Sequence, residues 1–261
     1  EDVHIDEALK TRQFYQLWIM LCFNVTAGIG VLSVAQTMMT EIFGTTLPNI
    51  VDGGFAATYV AMISLFNMLG RFFWASLSDK LGRKLTYVVF FVLGFVLYIS
   101  LPWSGSMGST ALFVAATCII LSMYGGGFAT VPAYLADLFG TQMVGAIHGR
   151  LLTAWATAGV LGPVIVNYMR DYQLSLGIAR EQVYNQTMYI LAGLLIVGLI
   201  LNLSIRPLAS KWFMTDEEPA QEPRLAHERA EISRPSSAAA PYDRGASYAK
   251  IVLPWLAVGL P

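Results

Sequence analysis

Residues 67–84 read NMLGRFFWASLSDKLGRK, which is the end of an apolar helix followed by a short charged turn. Arg71 ends a long apolar run, and three aromatic residues follow it directly. A charge at the centre of a bilayer costs roughly 2.5–3.5 kcal/mol on insertion scales, so it usually faces a cavity or a pathway. We therefore predict that Arg71 is a binding cation. The alternative is an arginine whose long side chain reaches the lipid headgroups.

Composition around this stretch predicts a membrane protein. Of the 261 residues 56% are hydrophobic and only 13% are charged, whereas a soluble domain has about 25% charged residues. Six apolar segments of spanning length lie between residues 13 and 206, separated by short polar loops. We predict an all-α integral membrane protein with a six-helix bundle. The formal net charge of −1 gives no sign of a nucleic acid partner.

The distribution of basic residues predicts the orientation in the lipid bilayer. Loops that carry many Lys and Arg residues stay in the cytoplasm. The predicted outer side holds only Arg170 and Arg180, in an expected loop over residues 170–186. The other side holds Lys10, Arg12, Lys80, Arg83, Lys84, Arg150, Arg206 and Lys211. We therefore expect a multi-pass protein of the plasma or inner membrane, with both ends of the bundle in the cytoplasm.

Beyond residue 206 the composition changes. Residues 207–248 are rich in Pro, Glu, Ala, Ser and Arg, a composition typical of a disordered cytoplasmic tail. Residues 249–261 become apolar again. About ten apolar residues cannot cross a bilayer that needs about twenty. This last segment is either the truncated beginning of a further hydrophobic span or an anchor at the interface.

The sequence shows no pattern typical of an enzyme or a cofactor site. Its three histidines are scattered, and neither an HExxH motif nor a GxxxxGK phosphate loop occurs. Cys22 and Cys118 lie in apolar runs without companion metal ligands. We predict no catalytic residue, no metal and no cofactor. We also place Asp137 as the one carboxylate inside a predicted span, at its end, which gives no support for coupling to protons.

The charged turn SDKLGRK at residues 78–84 resembles the signature loop of the major facilitator superfamily of transporters, G-x-x-x-D-[RK]-x-G-R-[RK]. Ala75 stands where that pattern has its first glycine. The resemblance implies a gating loop in which Arg83 meets Asp137 at the end of the fourth span. The alternative is that these charges only fix the topology. The residues assigned to the loop and its surroundings are Asp79, Lys80, Gly82, Arg83, Lys84, Asp137 and Arg150.

Three further stretches are similar to the oxalate–formate antiporter branch of this superfamily. They are DEALKT at residues 6–11, YGGGFATVPAYLADLFG at residues 124–140 and GAIHGR at residues 145–150. The resemblance implies the C-terminal six-helix half of a twelve-helix fold that works by alternating access. Residues 1–12 would then be the end of the central cytoplasmic loop. The expected partner is a missing N-terminal six-helix half.

The same resemblance implies a small organic anion as substrate, of the monocarboxylate or oxalate/formate type. In the oxalate transporter of this branch an arginine in the second helix of this half and a lysine in the fifth bind the carboxylates. Arg71 matches that arginine, and Trp155 stands at the lysine position. One remaining cation favours a monocarboxylate such as formate or lactate.

A wall for that anion is expected from Asn67, Tyr124, Tyr134 and Trp155, although packing between helices would equally explain the aromatic residues. A different class of function stays open as well. The chain could be a membrane sensor or receptor that has a transporter fold and uses its tail to signal.

Overall fold

The fold was obtained as a computed structural model, which describes residues 2–214. Within this range the chain forms six long helices that are apolar enough to cross a membrane, preceded by one short helix. The predicted all-α six-helix bundle is therefore confirmed. The helices are α1 (Ile5–Ala8), α2 (Arg12–Phe43), α3 (Gly53–Leu81), α4 (Arg83–Ser106), α5 (Thr110–Phe139), α6 (Val144–Ser175) and α7 (Asn185–Ser204).

Side-chain caps and glycines define where the long helices begin and end. Thr11, Asp52 and Ser109 each accept a hydrogen bond from a backbone N–H of the first helical turn, in α2, α3 and α5. Such caps satisfy donors that the helix itself leaves unpaired. Gly82, between α3 and α4, has a φ of 85°, and Gly140, after α5, has a φ of 83°. These are backbone conformations that favour glycine.

The helices pack mainly as three pairs, α3 with α5, α2 with α6, and α4 with α7. Small residues make the α2–α6 approach close: a Cβ atom on Gly162 would lie 2.9 Å from the backbone N of Gly30 and the carbonyl O of Thr26. Ala154 and Ala158, which precede Gly162 at four-residue intervals, are fully buried. This stripe is the kind of surface that lets membrane helices approach closely.

The three glycines at 125–127 serve packing. α5 runs through them and through Pro132 without interruption. A Cβ atom on Gly125 would collide with Asn67, one on Gly126 with Trp74, and one on Gly127 with the side-chain amide of Asn24. The glycines therefore allow α3 and α2 to pack closely against different sides of α5.

The long helices differ in how much of their surface the bundle covers. In the membrane-spanning windows of α2 and α5, 67% and 61% of the residues are buried, against 17% and 28% for α3 and α6. The exposed residues of α3 include Phe66, Leu69, Phe72 and Phe73. Apolar surface of this extent requires lipid or further helices to cover it.

Two boundaries differ from the expectations. α6 continues to Ser175, so the expected outer loop at 170–186 begins later than predicted. Residues 207–214 run on from α7 and contain a short 3-10 turn, Ser210–Trp212. The rest of the expected disordered tail, residues 215–248, and the expected hydrophobic segment, residues 249–261, lie outside the described residues.

Candidate anion-binding site

Arg71 lies in α3 with its guanidinium against an aromatic ring. The guanidinium carbon is 5.0 Å from the ring centroid of Phe128 in α5, within the range of a cation–π contact. The Arg71 side chain is exposed on the face of α3 that the bundle leaves uncovered. The ion pairs found among residues 2–214 involve other side chains. Arg71 therefore has guanidinium N–H donors available for a ligand.

Trp155 of α6 extends the aromatic surface that begins at Phe128. The Phe128 and Trp155 rings meet edge to face, with centroids 4.7 Å apart. The Tyr124 ring lies 5.3 Å from Trp155. Tyr124 and Phe128 are four residues apart and so project from one face of α5. We call these four residues, Arg71, Tyr124, Phe128 and Trp155, the Arg71 cluster; it joins α3, α5 and α6.

Tyr124 is held firmly in the cluster. Only 7% of its surface is exposed. A Cβ atom on Gly28 of α2 would collide with its ring. A larger residue at position 28 would therefore displace the Tyr124 ring. The absence of a side chain at Gly28 thus leaves room for the Tyr124 ring in the Arg71 cluster.

Asn67 lies one helical turn before Arg71 in α3. Its side-chain oxygen is buried and has no hydrogen-bond partner within residues 2–214, which is costly for an amide. The backbone of Gly125 lies directly against it. Spacing of four residues places Asn67 and Arg71 on one side of α3. The structure thus brings the predicted residue Asn67 next to the cluster.

Tyr134, which was also predicted to line the site, lies elsewhere. Its hydroxyl donates a hydrogen bond to the side-chain oxygen of Asn202, 3.0 Å away in α7. Its ring lies 5.6 Å from that of Tyr87 in α4. These contacts link α5 to α4 and α7 near the charged turn. The structure does not bring Tyr134 into the Arg71 cluster, and its role in binding stays a prediction.

Arg83 is the centre of a charged network at the signature loop. Its guanidinium lies 2.6 Å from the Asp79 carboxylate and 3.8 Å from that of Asp137. It also donates a hydrogen bond to the hydroxyl of Ser78. The expected meeting of Arg83 with Asp137 is therefore present. The network connects the end of α3, the start of α4 and the end of α5.

Lys84 ties the same turn to α7. Its ammonium donates hydrogen bonds to the carbonyl oxygens of Leu203, at 3.0 Å, and Ile205, at 2.7 Å. In return, the side-chain amide of Asn202 donates to the carbonyl oxygen of Lys84 at 3.0 Å. These bonds satisfy carbonyl groups that the end of α7 would otherwise leave unpaired.

The other predicted loop residues have different surroundings. Lys80 is exposed at the last turn of α3. Gly82 supplies the positive φ of the turn. Arg150 is exposed near the start of α6 and borders a groove with Tyr15 and Trp18 of α2. The structure therefore does not place Arg150 in the network around Arg83.

Glu41 corrects the expectation that Asp137 is the one carboxylate inside a span. It is buried near the end of α2, and its carboxylate accepts two hydrogen bonds from Arg170 of α6. The Tyr184 hydroxyl donates to it at 2.7 Å, and Arg180 lies 3.4 Å away. A buried charge is tolerated when it is paired in this way. A glutamate within the first apolar run was the available signal.

Phe128 is the second functional candidate that the sequence did not single out. It contacts both Arg71 and Trp155, so it fills the space between the cation and the rest of the wall. Its spacing of four residues from Tyr124 was the signal that could have found it.

A family model described as Major Facilitator Superfamily matches residues 3–163. The chain belongs to the Major Facilitator Superfamily. This membership confirms the resemblance that the signature loop indicated. Together with the six apolar helices among residues 2–214, it supports a multi-pass membrane protein.

Three curated proteins are similar to this chain over part of its length. The oxalate:formate antiporter of Oxalobacter formigenes is 33% identical over 162 residues, which is 62% of this chain and 37% of that protein. The sialic acid transporter NanX of Escherichia coli (strain K12) is 25% identical, over 57% of this chain and 37% of that protein. The apicoplast pyruvate carrier 1 of Toxoplasma gondii is 25% identical, over 56% and 26%. The chain thus spans less than two fifths of the length of these relatives.

Proposed function

We propose that this chain is the C-terminal six-helix half of a twelve-helix secondary transporter of small organic anions. Residues 13–206 form the transporter half, and residues 1–12 end the central cytoplasmic loop. The distribution of basic residues supports a plasma or inner membrane location with both ends of the half in the cytoplasm. An N-terminal half of six helices completes the substrate pathway.

The observation that carries the proposal is that Arg71 is a cation without an acidic partner among residues 2–214. Arg71 lies within a membrane-spanning helix, and it rests on Phe128. It belongs to α3, the helix that the bundle covers least. A second half that packs on α3 and α6 would enclose the Arg71 cluster between the two bundles, where alternating access places the substrate.

The cluster suits a single carboxylate. A guanidinium can donate two parallel hydrogen bonds to one carboxylate group. The rings of Tyr124, Phe128 and Trp155 exclude water beside it, and lower polarity strengthens the ionic attraction. With Trp155 at the position where the resemblance implies a lysine, a second carboxylate finds no second cation within the Arg71 cluster. We therefore propose a monocarboxylate such as formate or lactate in preference to oxalate.

We further propose that the signature loop acts as a latch. The Arg83 contacts with Asp79 and Asp137 join three helix ends. Both carboxylates are more than half exposed, so water can replace the contacts at low cost. Contacts that form in one orientation of the halves and break in the other bias the equilibrium between the two.

The test uses the full-length protein in liposomes loaded with unlabelled anion, and follows uptake of labelled formate, lactate and oxalate. We expect formate or lactate exchange in the wild type and its loss in Arg71→Ala. Arg71→Lys should retain a weaker activity, since lysine keeps the charge but not the planar pair of donors. Lys211→Gln, which removes a cation outside the cluster, should exchange normally.

Equal exchange by Arg71→Ala and the wild type would remove Arg71 from the binding site. Saturable binding of the anion without any exchange would favour the sensor or receptor alternative. Size-exclusion profiles of the variants show whether a loss of exchange comes from a loss of folding.

A further inference from the structure

A pocket lies at the signature-loop end of the bundle, between the start of α4 and the ends of α5 and α7. Its volume is about 550 Å³. Leu85, Val88 and Leu138 are among the residues that make its walls apolar. We call it the α4–α7 pocket. It shares no lining residue with the Arg71 cluster, which is formed by α3, α5 and α6.

The charged groups that line the pocket are predominantly positive. They are Arg83, Lys84 and Arg206, with Asp137 as the one carboxylate among the lining residues. Arg83 is engaged by acidic partners and Lys84 by two carbonyl groups. The Arg206 side chain is exposed, and within residues 2–214 it has no hydrogen bond or ion pair. Arg206 is therefore the cation available to a ligand.

The pocket continues into apolar surface of the two helices that frame it. Both α4 and α7 expose large hydrophobic side chains along their length. These are Leu85, Val92, Val96 and Ile99 on α4, and Val197, Ile200 and Leu203 on α7. In a membrane protein such a surface contacts lipid chains. A ligand that fits both parts of this site needs a negative head and an apolar body.

We propose that the α4–α7 pocket binds one anionic phospholipid, with its phosphate at Arg206 and its acyl chains along the apolar surface of α4 and α7. Basic pockets between membrane helices on the cytoplasmic side recognise lipid headgroups in this way. Most basic residues of the described range, residues 2–214, lie at this end, the side that the positive-inside rule assigns to the cytoplasm. A small soluble anion would leave the apolar walls unused.

The lipid site lies beside the latch. Arg83 and Lys84 line the pocket and also hold the signature loop to α5 and α7. A movement of the signature loop would therefore change the residues around the lipid headgroup. This inference does not depend on which anion is transported, and lipid binding can be measured without transport.

Native mass spectrometry of the full-length protein tests the proposal, with phosphatidylglycerol and phosphatidylcholine of identical acyl chains. We expect one phosphatidylglycerol to be retained in preference to phosphatidylcholine. Arg206→Gln should lower this retention about fivefold, as expected when one basic residue near the surface is lost. Lys211→Gln removes a nearby cation outside the pocket and should leave retention unchanged.

A second variant, Val88→Trp, fills the pocket and keeps every charge. It should also release phosphatidylglycerol, because the acyl chains lose their place. Equal losses in Arg206→Gln and Lys211→Gln would show diffuse surface attraction and overturn the proposal. Efficient displacement by soluble glycerol phosphate would assign the pocket to a free anion. Displacement by a peptide of residues 215–219, TDEEP, would assign it to this acidic segment of the chain.

Discussion

At the scale of single residues, the chemistry of the site depends on the side chains around the Arg71 guanidinium. The Phe128 ring lies against its guanidinium, and the Trp155 ring packs on Phe128. A ring face attracts a cation, but it cannot hold a carboxylate. The cluster therefore has one strong anion-binding group and a surface that favours a small apolar remainder. In the proposed site, the residue at position 155 would decide whether a second carboxylate can be held.

Replacing Trp155 with lysine should shift selectivity toward a dicarboxylate. The new ammonium would enter the cluster from α6 and pair with the second carboxylate of oxalate. A hydrogen bond between charged groups contributes about 1.5–3 kcal/mol, so the ratio of oxalate to formate exchange should rise at least about tenfold. The measurement is competitive uptake of the two labelled anions into proteoliposomes.

Trp155→Gln is the matched control, because it removes the ring and adds no charge. If Trp155→Lys and Trp155→Gln change the ratio equally, the effect comes from the lost ring, and a carboxylate does not approach α6. Tyr134→Phe removes a hydroxyl that is bonded to Asn202 outside the cluster. An unaltered ratio in this variant would argue against the predicted binding role of Tyr134.

The residues of the site could be predicted from the sequence only where a single position carries the signal. Arg71 stands out because a charge in an apolar run is expensive. Phe128 does not, because an aromatic residue in a span usually packs, and only its contact with Arg71 distinguishes it. Glu41 is also a charge in an apolar run, but its partner Arg170 lies 129 residues away. No local pattern reveals such a pair.

At the scale of elements, Glu41 joins helices at the end of the bundle opposite the signature loop. It receives hydrogen bonds from Arg170 of α6 and Tyr184 at the start of α7, and it lies near Arg180 of the intervening 3-10 turn. The carboxylate thus holds α2, α6 and α7 together. Only 7% of its side chain is exposed, so water does little to replace these partners.

Glu41→Gln should destabilise the protein. The amide keeps the shape of the side chain but leaves Arg170 and Arg180 without their buried counter-charge. Leaving buried polar partners unsatisfied costs about 1–3 kcal/mol each, and the exposure of Arg180 favours the lower part of that range. A fall of the unfolding temperature by several degrees in detergent is the expected result.

Asp171→Asn provides the control for Glu41→Gln. Asp171 also contacts Arg170, at 3.2 Å, but 75% of its side chain is exposed. Exposed ion pairs contribute little, about 0–1 kcal/mol. Equal shifts of the unfolding temperature in the two variants would mean that burial of Glu41 adds nothing to the pairing.

The existence and order of the six spans could be predicted, because each apolar run is long enough to cross the bilayer and loops of turn chemistry separate them. The end of α6 could not. The charges of Arg170 and Asp171 favoured a loop at these positions, but the helix continues to Ser175. The pairing of Arg170 with Glu41 offsets the cost of carrying a charge in that part of the helix.

At the scale of the whole molecule, charges join the helices near both ends of the bundle. The Glu41 side chain is only 7% exposed, whereas the side chains that pair with Arg83, those of Asp79 and Asp137, are 67% and 60% exposed. A buried set of contacts is suited to permanent cohesion, and an exposed set to repeated opening. This difference supports placing the moving gate at the signature loop.

Arg83→Ala should therefore change the rate of exchange more than the affinity for substrate. Loss of a partly exposed ion pair worth about 1 kcal/mol shifts the ratio of two conformations about fivefold. The Arg71 cluster contains none of the latch residues, so KM should stay within twofold. Exchange kinetics in proteoliposomes measure both quantities.

The control variant Lys10→Gln removes an exposed cation that is paired with Glu7 on α1, and it should alter neither the rate of exchange nor KM. Arg83→Lys should lie between the wild type and Arg83→Ala, because lysine can pair with one carboxylate at a time. An unchanged exchange rate in Arg83→Ala, with normal folding, would reduce the signature loop to a determinant of topology.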